Sequence, residues 1–196
     1  MGEGSVTRER ILSEALDVFG RHGYEGTRME QIASQVGINK ASLYFHFKSK
    51  QELFHELFST IVQKHDALIK QIIAESEGLP TGERLTVICQ KYLSGHWDNS
   101  EMDFWNMIYY FPPEAMKEEI RRKTLENKST FLENLIPIFD DGIRKGEIRP
   151  FDPKRMAKTF YYLLTCVALS VDMLSKAQGQ NDMEDCFIVF WEGIRR

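Results

Sequence analysis

Apolar residues recur along this chain at intervals of three and four, the spacing of one face of an α-helix. Ile11, Leu12, Ala15, Leu16 and Phe19 make the first such stripe, and Gly23 stops it. Met29, Ile32, Ala33 and Val36 make a second, shorter one. Thr27 and Glu30 stand at its start with the spacing of a capping box, in which each side chain satisfies an unpaired backbone donor. Gly37 suits the left-handed end of that helix. Asn39 reads as the N-cap of a third helix through Phe47, and Ser49 with Glu52 opens a long helix towards Ser76. Gly78, Pro80 and Gly82 then break the chain, and Thr81 can cap a helix to about Gly95. Glu101 to Phe111 is apolar almost all round, which predicts a buried helix. Pro112 and Pro113 end it. The next helix is expected to run to about Lys145 with a kink at Pro137, which lacks an amide donor. Asp152 followed by Pro153 is an N-cap with proline at the first helical position. Helices over about 153–176 and 183–194 finish the chain. No alternating strand pattern, internal repeat or low-complexity stretch interrupts this all-α reading.

Composition narrows the class. With 196 residues, 42% hydrophobic and 28% charged, the chain is neither disordered nor collagen-like, and it is long enough to bury a core without staples. Cys89, Cys166 and Cys186 stand far apart in an odd number, which indicates neither a disulfide framework nor a zinc site. A reducing cytoplasm fits this usage. Met1 to Arg10 is polar, so no secretory signal is read. The longest uncharged stretch, Thr159 to Val171, falls short of the ~20 residues that span a bilayer. No membrane association and no cofactor are expected.

Charge then singles out one segment. The net charge is -4, but the first 55 residues hold seven basic and seven acidic side chains, so the remainder carries the whole excess. From Gln31 to Gln51 there is no acidic residue, while Lys40, Lys48 and Lys50 are basic. Residues Thr27 to Phe47 also have the layout of a helix-turn-helix. Ile38, Leu43 and Phe47 are expected to pack inward. The opposite side carries Ala41, Tyr44, Phe45 and Lys48, flanked by Ser42, with His46 between the two faces. A balanced half with a local basic surface can approach phosphate; the acidic half cannot.

The residues Thr7-Arg8-Glu9-Arg10-Ile11-Leu12, Ala15, Phe19, Gly23-Tyr24, Thr27 and Ile32-Ala33 keep a recognisable order. With the run Gly37-Ile38-Asn39-Lys40-Ala41-Ser42-Leu43-Tyr44-Phe45-His46-Phe47-Lys48-Ser49-Lys50, they resemble the DNA-binding domain of the TetR family. The resemblance implies an all-α protein: an N-terminal three-helix DNA-binding domain over residues 5–60, then a helical effector-binding and dimerisation domain over 61–196. It also implies roles. Thr27 and Arg28 would contact phosphate. Asn39, Lys40, Ala41, Ser42, Tyr44, Phe45 and His46 would form the recognition helix and its cap, and Lys48 and Lys50 would be phosphate anchors. Asn39 stands where serine or threonine is common in the family, and Phe45 where polar or tyrosine side chains are frequent.

Beyond residue 60 the chain is similar to the family only in helical layout, and two regions draw expectations. The aromatic helix around Trp105 is either packed core or the wall of an effector pocket. The pocket reading takes His96, Trp97, Phe104, Trp105, Ile108, Tyr109, Phe131 and Tyr161 as its lining and a small, largely apolar molecule as its ligand. The last two helices carry more apolar side chains than one core needs, which suits a homodimer. The expected partners are therefore a palindromic double-stranded operator, a small effector and a second copy. His22, His46, His55, His65 and His96 show no metal-ligand spacing. No nucleophile, base and orienter set appears, so no enzyme is expected; the alternative is a helical small-molecule-binding protein or an enzyme using the aromatic cavity.

Overall fold

The computed structural model describes residues 3–93, 99–170 and 176–196. Among the described residues are nine α-helices and no strand. They are α1 (Glu3–Gly26), α2 (Met29–Val36), α3 (Lys40–His46), α4 (Lys50–Glu75), α5 (Thr81–Leu93), α6 (Asn99–Tyr110), α7 (Lys117–Arg144), α8 (Pro153–Ser170) and α9 (Lys176–Ile194). A 3-10 turn, Glu114–Met116, precedes α7. No helix among the described residues is long and apolar enough to cross a membrane.

The helices gather into two compact units. The first takes the chain up to Gln63 and adds the segment ending at Arg121; the second begins at Lys64 and resumes at Arg122. The first unit thus joins α6 to the helices expected for the N-terminal domain. Its core is the meeting of the predicted stripes: Ile11, Ala15 and Phe19 of α1, Ile32 and Val36 of α2, and Leu53, Phe54 and Phe58 of α4 are all buried. Phe104 of α6 sits edge-on to Phe19 at 6.3 Å and against Phe54 at 5.3 Å. Close packing of α1 on α6 depends on Gly20, where a Cβ would stand 3.0 Å from Asp103 Cβ.

Gly23 ends the regular part of α1 as expected. Its φ of 68° lies in the left-handed region, which only glycine enters without strain. The start of α2 differs from expectation. Thr27 is 2% exposed, and its hydroxyl donates to the carbonyls of Gly23 at 2.7 Å and Val18 at 3.4 Å. The helix begins one residue later: Arg28 is its N-cap, and the Gln31 side chain accepts the Arg28 amide at 2.7 Å. Thr27 is drawn inward because two carbonyls at the break in α1 need a donor.

The aromatic helix also differs from expectation. Phe104, Met107 and Ile108 are buried, but Tyr109, Tyr110 and Phe111 are exposed. Apolar composition around the whole helix therefore did not bring burial at its C-terminal end.

The second unit has its own core of Leu85, Ile88, Phe131, Phe139, Phe160 and Leu164. The α5 start is held by a distant group, since the Glu147 carboxylate accepts the Thr81 amide at 2.7 Å. Asp152 caps α8 as expected, accepting the Lys154 amide at 2.9 Å. Helix α7 runs through Pro137, which is exposed. Helix α9 starts at Lys176, ahead of the expected Met183; its first turns are polar and carry no apolar stripe for periodicity to reveal.

Candidate nucleic-acid interface

The helix-turn-helix is fixed by local chemistry. Gly37 adopts φ 74°, and the amides of Gly37 and Ile38 return to the Ser34 and Ala33 carbonyls at 3.1 and 3.0 Å. Asn39 then caps α3, its side chain accepting the Ser42 amide at 2.8 Å. Leu43 is the buried residue of α3, and Phe47 beyond its end is also fully buried. These two anchors turn the rest of the helix outward. Ala41 and Tyr44 are exposed, Ser42 is half-buried, and Phe45 is 86% exposed. The half-buried His46 ring meets Phe45 edge-on at 5.5 Å.

The cations around this face differ in availability. Lys48 is exposed; its amide, not its side chain, is engaged, donating to Glu52 at 2.7 Å. Lys40 is ion-paired to Glu30 of α2. That hydrogen bond holds the Glu30 carboxyl below its usual range and raises the Lys40 ammonium. Lys50 is half-buried, donates to the carbonyls of Tyr24 at 2.6 Å and Thr27 at 3.0 Å, and lies 4.3 Å from the Tyr24 ring centroid. It ties the end of α1 to the start of α4. Arg28 is exposed at the head of α2.

Two further residues position the reader without having been singled out by spacing. Arg10 donates to the carbonyl of Val36, the last residue of α2, at 2.8 Å. Arg8 donates to the carbonyl of His46, the last residue of α3, at 2.9 Å. Arg8 also pairs with Glu56 and stands 4.3 Å from the Phe47 ring centroid. Each guanidinium meets the negative, under-bonded end of a helix. The first turns of α1 thus grip both helices of the motif, and only the Thr7-Arg8-Glu9-Arg10 run in the sequence hinted at it.

Residues 11–57 match the tetR family of bacterial regulatory proteins. The chain carries a TetR-family DNA-binding domain. It is 25% identical over 173 residues to the uncharacterized HTH-type transcriptional regulator YhgD of Bacillus subtilis, covering 86% of this chain and 85% of that one. It is 46% identical over 50 residues to the HTH-type transcriptional regulator RutR of Escherichia coli, a match that spans 26% of this chain and 24% of RutR. The fold is that of solved TetR-like structures. One is a candidate transcriptional regulator of Saccharomonospora viridis in complex with choline, with a TM-score of 0.79 at 22% identity over 98% of this chain and 99% of that one. Another is the ketosteroid transcriptional regulator KstR2 of Mycobacterium tuberculosis, with a TM-score of 0.72 at 18% identity over 96% and 95%. Through this domain the chain is similar to TetR-family transcriptional regulators.

The residues expected around an effector fall in different places in this chain. His96 and Trp97 lie outside the described residues. Phe104 and Ile108 are core residues of the first unit, Trp105 is half-buried against Phe58, and Tyr109 is exposed. Phe131 and Tyr161 belong to the second unit, where their rings meet edge-on at 5.4 Å. Beside them lies a polar cluster that spacing did not reveal. His65 bonds Tyr92 Oη at 3.3 Å and Asn127 at 3.1 Å, and Asn127 donates to Asp66 at 2.6 Å. Burial pushes the His65 imidazole down to about 4 and the Tyr92 hydroxyl above its usual range. Among the described residues, no group of three or more His, Cys, Asp or Glu side chains could hold a metal ion.

Proposed function

We propose that this regulator acts in the cytoplasm as a homodimeric repressor. It binds a palindromic operator and is released by a small effector. The observation that carries the DNA contact is the outward face of α3. Ala41, Tyr44 and Phe45 stand exposed beside Lys48 on a helix whose inner side is fixed by Leu43 and Phe47. A helix fits the major groove, and the thymine methyl is the apolar feature of that groove. Phe45 would meet a thymine methyl or sugar, and Ala41 would let the helix backbone come close. Thr27, Arg28, Lys48 and Lys50 remain the proposed phosphate-side set; Thr27 and Lys50 would act through the backbone they hold.

The second copy is supported by apolar side chains left in solvent at the end of the chain: Phe151, Tyr162 of α8, and Ile188 and Val189 of α9. Two-fold pairing would cover them and set two recognition helices about 34 Å apart on successive grooves. Effector response is supported by the aromatic surroundings of the His65, Tyr92 and Asn127 cluster, with Phe131 and Tyr161 as contacts. The choline and ketosteroid in the names of the structural neighbours belong to those proteins and give the kind of molecule to try first. Release requires that the ligand bind the DNA-incompetent state better. Selection from random duplexes, followed by sedimentation of the complex, tests the reading. It expects one enriched two-fold site bound by two chains; no enrichment, or a single chain on the site, contradicts it.

A further inference from the structure

The first unit carries an open cleft of about 580 Å³ between the C-terminal end of α1 and the segment from α6 to the 3-10 turn. This is within the size range of small-molecule sites. Its lining has three features that belong together. Gly20, Gly23 and Gly26 give a floor without side chains. Gly20 is required by the close approach of Asp103, and Gly23 by its positive φ, but a Cβ at Gly26 would meet nothing nearer than His22 Cβ at 3.6 Å. Packing thus does not ask for glycine at Gly26, and the space above it stays open.

Tyr110 and Phe111 form the aromatic wall, with Met107 and Pro112 beside them. Phe111 is 79% exposed, whereas Phe104 on the same helix is fully buried. Core packing accounts for Phe104, whereas Phe111 stands in solvent beside the Tyr110 ring, 6.5 Å away between centroids. The third feature is charge. Glu25, Asp103 and Glu114 line the cleft, and no Lys or Arg does. Lys117 stands 3.4 Å from the Glu114 carboxylate and shares its charge, so Glu25 and Asp103 weigh most. Carboxylates around exposed rings repel nucleic acid and other anions. They favour a cation whose charge can rest on a ring face and whose body is apolar.

We propose that this cleft is a ligand site for an organic monocation with an apolar or aromatic body, an amine or quaternary ammonium. The cation would stand between Glu25 and Asp103 with Phe111 and Tyr110 against it. The site shares no residue with the exposed face of α3 or with the effector contacts named for the second unit, although Tyr24 in its lining is held by Lys50.

Calorimetric titration of the full chain with benzyltrimethylammonium, benzyl alcohol and phenylacetate tests this. The cation should bind saturably and about tenfold or more tighter than the neutral and anionic probes, as expected from two partly screened charge contacts. Glu25→Gln with Asp103→Asn should remove that preference, and Phe111→Ala should weaken the cation several-fold. Glu83→Gln, an exposed acid of the second unit, should change nothing. The carboxamide variants alter exposed side chains, and an unchanged melting temperature confirms their fold. Absence of saturation at millimolar probe, equal binding of all three probes, or full affinity in the Glu25, Asp103 and Phe111 variants overturns the proposal.

Discussion

Phe45 on α3 and Phe111 at the end of α6 are both left in solvent by the first unit, at 86% and 79% exposure. Their surroundings have opposite character. Around Phe45 the sequence from Gln31 to Gln51 has no carboxylate, and Lys48 is exposed nearby. Around Phe111 stand Asp103 and Glu114, with Glu25 across the cleft. An exposed ring therefore asks for a partner without naming it, and the neighbouring charges choose between partners. One ring is set for a polyanion, the other for a small cation.

The sharpest way to break this contrast is to give Phe45 the surroundings of Phe111. Phe45→Glu places a carboxylate where the phosphates of the duplex approach. We expect operator affinity to fall by about 100-fold or more, ~2.7 kcal/mol, with an unchanged melting temperature. Phe111→Glu should leave operator affinity within about twofold. Equal losses from the two substitutions, read by fluorescence anisotropy, would erase the distinction.

Next in size is Arg8→Met. It removes the donor to the His46 carbonyl and the partner of Glu56 while keeping much of the apolar stem. A charge-assisted bond of this kind is worth about 1–2 kcal/mol where it is partly screened. Melting temperature and operator affinity should both fall, the affinity by about tenfold. Phe45→Glu moves affinity alone, so this joint loss marks a residue that orients α3 rather than touching DNA.

Smaller again is the difference among the lysines. Lys48→Ala should weaken all duplexes alike, several-fold, and make the log–log salt slope shallower by about one unit. Lys40→Ala should cost less, because Lys40 must leave Glu30 before it can meet phosphate. Glu30→Gln should tighten binding by freeing it. A Lys40 effect exceeding that of Lys48 would show that the ion pair does not persist near DNA.

The smallest effect lies in the second unit and separates stability from reading. Burial holds the His65 pKa at about 4, below its unfolded value of ~6.5. The unfolded chain therefore takes up the proton first, and the contribution of neutral His65 is lost as pH falls from the unfolded value towards 4. About 1 kcal/mol should disappear by pH ~5.5. Denaturant midpoints between pH ~7.5 and ~5.5 should drop for the wild type and drop less for His65→Gln. Parallel curves would contradict the assignment.

How much of this was legible follows from how local each signal is. The Asn39 cap, the Gly37 turn and the inward pair Leu43 and Phe47 depend on neighbours within a few residues, and helical periodicity exposes them. Arg8 and Arg10 act on carbonyls 38 and 26 residues away, so nothing in α1 alone announces them. Lys50 reads as a phosphate anchor in the sequence yet its ammonium donates to two carbonyls at the junction of α1 and α2. Thr27 reads as a cap and is turned inward by the break at Gly23. The run Tyr109, Tyr110 and Phe111 reads as buried because its apolarity is complete, but burial depends on what packs against it, which composition does not carry. The His65 cluster unites three helices and has no spacing at all.

The central claim is that the exposed face of α3 meets DNA. It is tested most directly by photocrosslinking. The amino acid p-benzoylphenylalanine is placed at position 45 in one protein and at position 111 in another, each irradiated with a duplex selected from random sequence. The account predicts a crosslink to one symmetric position of each half-site from position 45, and none from position 111. Crosslinks from position 111 alone, or failure of any duplex to be enriched by the wild-type chain, would contradict it.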